Sequence, residues 1–162
     1  MDDMDKQRAK RSMNNVGAFL SAFALLESTS YQIYDLFPDD ELTKFGRTTS
    51  QFQRRVRHAQ ALMRNSELIR SERMEELFDE ALVLSAFRNK VAHNPQVTDV
   101  YQNAETGELK LEGPFFRDAK TYGKHSKNLP IKIEDVGANT ERAMRIWMDL
   151  QKLIMESLEM KS

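Results

Sequence analysis

Apolar side chains recur every three or four positions through four long stretches of the chain, the period of helices that bury one face. In residues 5 to 37 the stripe is Val16, Phe19, Leu20, Phe23, Leu26, Ile33 and Phe37, ended by Pro38 and two aspartates. So long a stretch predicts either a frayed basic start or a break near residues 14 to 17. Residues 49 to 64 place Phe52, Val56, Ala59 and Met63 on one face, with Thr49 or Ser50 as the expected N-cap. Residues 71 to 93 open on Ser71 and glutamates, then run through Met74, Leu77, Phe78, Ala81, Leu82 and Ser85. Pro95 disfavours helical geometry at Asn94, so His93 falls in the last turn or just beyond it. Residues 134 to 160 turn Val136, Ala143, Trp147, Leu150, Ile154 and Leu158 inward. Gly137 costs this helix about 1 kcal/mol relative to alanine, which predicts an irregular start.

Between the third and fourth stretches the pattern changes. VTDVYQ and ELKLEG flank an Asn-Ala-Glu-Thr-Gly turn, the signature of a short β-hairpin. RDAKTYGKHSKNLP follows without apolar period, and loops this long are often functional. The expected fold is therefore all-α: one domain, a helical bundle with a small hairpin and loop insertion at about residues 97 to 130, before the last helix.

Composition narrows the setting. Of 162 residues, 40% are hydrophobic and 30% charged, which predicts a soluble globular chain. There is no cysteine, so disulfides and thiolate chemistry are excluded and a cytoplasmic location is expected. The charged start carries no signal-peptide core, and AFLSAFALL falls well short of the ~20 apolar residues that span a bilayer. No membrane contact is expected. The net charge of -1 hides a local excess. From residue 44 to 73, Lys44, Arg47, Arg54, Arg55, Arg57, Arg64, Arg70 and Arg73 face only Glu67 and Glu72, a local charge of +6. Such a run is either a solvated helix face or a polyanion-binding stripe. Arg54, Arg55, Arg57 and Arg64 are its candidate RNA-binding residues.

The sharpest chemistry lies in FRNKVAHNP, residues 87 to 95. On a helix, Asn89 and His93 are one turn apart on one face, so Asn89 is placed to orient the imidazole. Arg88 lies about 100° round from Asn89 and does not stack on His93. The helix thus displays a guanidinium and an imidazole as neighbours that a phosphodiester could bridge, best with a second copy facing the first. That pairing suits RNA cleavage without a metal or other cofactor. Histidine titrates near neutrality and can move the 2'-hydroxyl proton, while arginine holds its charge on the phosphorane. A helix C-terminus favours imidazolium, which helps an acid role more than a base role.

Arg88, polar Asn89, three further residues and His93 resemble the R-polar-x-x-x-H motif of the HEPN superfamily. The position at the end of the third helix, with another long helix behind it, is similar too. The resemblance implies an up-and-down α-helical bundle, a homodimer, and a composite endoribonuclease site that leaves a 2',3'-cyclic phosphate. Its catalytic residues would be Arg88, Asn89 and His93. It further implies a toxin or phage-defence role, with a cognate antitoxin or regulator as a possible partner. Arg88, Asn89, Ala92 and His93 also resemble the Arg-Asn-x-x-Ala-His stretch of mannitol operon repressor-like proteins, helical regulators without implied catalysis.

Each residue has a plainer reading. Arg88 and His93 could cap the helix C-terminus. His58, among arginines, reads as a solvated face, His125 as a loop residue, and Trp147 as core. Isolated histidines without carboxylate or cysteine partners give no metal site, and no glycine-rich phosphate loop is present.

Overall fold

All four stripes lie along helices, save the end of the first, where Ile33 enters a 3-10 turn and Phe37 lies beyond it. The computed structural model describes residues 3–38, 40–66, 71–94, 96–102, 105–106, 109–117 and 131–160. The long helices are α1 (Asp3–Gln32), α3 (Phe52–Arg64), α4 (Ser71–His93) and α5 (Ile133–Glu159); a short α2 (Glu41–Thr48) precedes α3. This is an all-α bundle. α1 packs along α5 and also meets α3 and α4, while α4 touches both α3 and α5. The main core joins Phe23 and Leu26 of α1, Phe52, Val56 and Met63 of α3, Leu77 and Phe78 of α4, and Ile146 and Leu150 of α5. These bulky side chains exclude water together, and burying each contributes about 1.5–3 kcal/mol. Trp147 packs against this core, half-buried.

Several boundaries differ from the sequence reading. α1 runs unbroken past residues 14 to 17 but stops at Gln32, and a 3-10 turn covers Ile33–Leu36. The tighter winding sends Ile33, Tyr34 and Leu36 all inward. α2 has no long apolar stripe because its inner face uses Thr43 and Gly46. Any Cβ on Gly46 would overlap the Tyr34 ring, so glycine permits this close approach. Neither Thr49 nor Ser50 caps α3; Gln51 holds the N-cap position without a side-chain hydrogen bond. The Thr49 hydroxyl is instead committed to the Phe45 carbonyl at the end of α2. α5 passes through Gly137 without interruption, and the Asp135 carboxylate accepts the Lys132 backbone N–H at 3.1 Å.

Beside the helices, the backbone of Gln96–Gln102 (β1) pairs antiparallel with Leu109–Phe116 (β2). The register slips between Val97 and Asp99, opposite Gly113 and Pro114, where proline has no N–H to donate. Residues 118–130, with His125, lie outside the described residues. Phe116 joins Phe19, Val91, Ile131 and Val136 in a second apolar cluster. That cluster ties down the C-terminal end of α4, the end that carries Arg88 and His93.

Candidate functional site

A cleft of about 490 Å³ opens where α1, the start of α3 and the last turns of α4 meet. Arg88, Asn89 and Ser85 of α4 line one side, Phe23 and Glu27 of α1 another, and residues Ser50, Gln51, Phe52 and Gln53 a third. Helical spacing explains the α4 contribution: Ser85 sits on the buried stripe and Arg88 follows one turn later on its margin. The side chain of Arg88 is consequently 32% exposed. Its guanidinium carbon lies 5.9 Å from the Phe23 ring centroid. Nη1 donates to Asn89 Oδ1 at 3.2 Å, and Nη2 stands 3.9 Å from the Glu27 carboxylate. Arginine carries five N–H donors, so most remain available to a ligand.

His93 ends α4 and is exposed, outside the cleft lining. Helical rise puts it about 7.5 Å further along the axis than Arg88. Among the described residues no hydrogen bond joins Asn89 to His93; the Asn89 amide oxygen accepts from Arg88. Asn94 Nδ2 donates to the Lys90 carbonyl at 2.6 Å and so caps the helix end. Among the described residues neither Arg88 nor His93 donates to a carbonyl at the helix end.

The basic stripe divides. Arg55 is not a solvent-facing RNA contact: the residue is 2% exposed. Its Nε donates to Ser30 Oγ at 2.7 Å, and Nη1 donates to the Tyr31 hydroxyl and to the carbonyls of Thr49 and Ser50. The guanidinium also lies 3.7 Å from the Tyr31 ring centroid. Burial pushes its pKa down, opposed by Tyr31 and Glu27. The spacing held the signal: position 55 lies on the same face as Phe52, Val56 and Ala59. Arg54, Arg57 and Arg64 are exposed, but Arg57 pairs with Asp79 at 3.5 Å and Arg64 with Glu75 at 2.6 Å. Arg54 has no ion pair among the described residues.

His58 is not simply solvated. It is half-buried with its ring 5.0 Å from that of exposed Phe45, and its buried Nδ1 has no hydrogen-bond partner. Sequence reasoning also missed Glu27, Gln51 and Gln53 as cleft residues. Glu27 was findable, because it is the only charge between Arg11 and Asp35.

Among the described residues there is no group of three side chains suited to hold a metal ion, and no helix long and apolar enough to cross a membrane. What fold and site define is a helical bundle with a polar cleft built around one arginine. No family model, curated protein or solved structure matches the chain.

Proposed function

We propose that the protein is a metal-independent endoribonuclease of HEPN type, acting as a homodimer in which two α4 ends share one RNA strand. One observation carries this reading: Arg88 at a cleft and His93 exposed nearby on one helix whose end is already capped by Asn94. The fold's own hydrogen bonding makes little demand on either side chain. Arg88 would bind the scissile phosphate, steadied by Asn89. The 2'-oxygen attacks phosphorus while its proton passes to one imidazole. The bond to the 5'-oxygen then breaks, the partner's imidazolium protonates that oxygen, and a 2',3'-cyclic phosphate is left. Two facing helices supply both histidines, and an isologous contact achieves this with one interface. In this reading the biological role is that of a toxin or phage-defence enzyme held in check by a cognate regulator.

Incubation of the purified chain with mixed RNA in EDTA tests the proposal. Wild type should cleave and leave cyclic-phosphate ends. His93→Ala should lose about 10²–10⁴-fold in rate with its melting temperature nearly unchanged. An inert wild type, together with unstable Arg88→Ala and His93→Ala variants, would replace the nuclease with a non-catalytic helical regulator.

A further inference from the structure

The chemistry of the cleft also names what else it accepts. Glu27 projects from an otherwise uncharged stretch of α1 into this cavity, with its side chain one-third exposed. Its carboxylate faces Arg88 Nη2 at 3.9 Å, beyond hydrogen-bond reach, and accepts no hydrogen bond among the described residues. An acceptor is thus held in the cleft with a loose ion pair to Arg88 and no hydrogen-bond donor among the described residues. Beside it the rings of Phe23 and Phe52 meet edge to face at 5.2 Å, and the amides of Gln53 and Asn89 stand on the other walls. The volume falls within the ~300–1,000 Å³ typical of small-ligand pockets.

Resting on the nuclease reading, we propose that this cleft is the base subsite for guanine, flanking the phosphate held by Arg88. A carboxylate only accepts hydrogen bonds. Guanine alone offers it two adjacent donors, N1–H and the 2-amino group. Adenine and cytosine set one amino group beside a ring nitrogen whose lone pair repels the carboxylate, and uracil sets one N–H between two carbonyl oxygens. Guanine O6 accepts from a side-chain amide or from Arg88. Unpaired bases in single strands present this edge freely, which suits a nuclease acting on unstructured RNA. The Arg88 charge, 3.9 Å from the Glu27 carboxylate, offsets the repulsion between that carboxylate and the phosphate.

Titration of the full chain with 3'-GMP, 3'-AMP, 3'-CMP and 3'-UMP, followed by calorimetry, decides the matter. 3'-GMP should bind at least about tenfold more tightly than the others, as expected for hydrogen bonds to a charged acceptor. Glu27→Gln should remove that preference with little effect on the other three nucleotides, and Glu27→Asp should restore part of it, each with an unchanged melting temperature. Equal affinities, no binding at millimolar nucleotide, or an intact preference in Glu27→Gln would each overturn the subsite. The wild-type ranking decides even if a variant fails to fold. Guanine-selective binding by a chain that cleaves no RNA keeps the pocket and discards the nuclease; cleavage indifferent to base does the reverse.

Discussion

Arg55 and Arg88 sit on neighbouring helices, both reach towards α1, and they have opposite fates. Arg55 is buried, with donors committed to two hydroxyls and two carbonyls. Arg88 is one-third exposed at a cleft, with one hydrogen bond to its own neighbour and a loose ion pair. A buried charge persists only where its hydrogen bonds are made, so Arg55 is a joint that fastens the α2–α3 connection to the end of α1. A guanidinium with spare donors beside open volume is free to meet a ligand. The same side chain is thus architecture in one place and candidate chemistry in the other.

The sharpest way to break this contrast is to truncate each arginine and measure unfolding by denaturant. Arg55→Ala leaves Ser30, Tyr31 and the carbonyls of Thr49 and Ser50 without their donor, and opens a void beneath Phe52. A loss of about 3–5 kcal/mol is expected. Arg55→Lys should recover only part of it, because an ammonium cannot reproduce the planar fork. Arg88→Ala should cost under about 1 kcal/mol, since its bonds are few and exposed. Equal losses at the two positions would erase the distinction.

Tyr34 sharpens the picture of the Arg55 joint. Its hydroxyl donates to the Arg55 backbone carbonyl at 2.7 Å, and burial pushes its pKa up to about 12 against the opposing pull of the Arg55 charge. Below pH 10 the phenol is neutral in both folded and unfolded chains, so its contribution is constant. Between pH 10 and about 12 the unfolded chain loses the proton while the folded chain keeps it. Stability should therefore fall by about 2–3 kcal/mol across that window. Tyr34→Phe should cost about 1 kcal/mol at neutral pH and flatten the alkaline decline. A decline that survives in Tyr34→Phe would assign it to other groups.

The two arginines also show what the sequence makes legible. Long stripes with a strong period were readable: Met74 through Ser85 placed α4, and with it Arg88 and His93. α2 was not: among its described side chains the inward positions are Thr43 and Gly46, which carry no apolar signal. Arg54, Arg55 and Arg57 look alike as a charge run, and only the helical angle separates the inward one. The Asn89 contact depended on rotamer choice, which spacing does not determine. Glu27 was visible as an isolated charge, but its meeting with Arg88 needed the packing of α1 on α4.

The smallest expected effect concerns the arginines that remain outside. If the surface of α3 tracks an RNA backbone, binding should weaken as salt rises, because bound phosphates release counterions. Arg54 is exposed without an ion pair among the described residues, so it is free to neutralise a phosphate. Removing it should reduce the slope of log affinity against log salt by about 0.7, the value for one contact on a single strand. Arg57 and Arg64 must first give up Asp79 and Glu75, so part of any phosphate gain is offset by a lost carboxylate. Arg57→Ala and Arg64→Ala should therefore change the slope less than Arg54→Ala. Stability should fall by under about 1 kcal/mol, as for exposed pairs generally. Equal slopes for the three variants would mean that net charge, not the position of each guanidinium, governs binding, and salt-independent binding would remove this face from the RNA path.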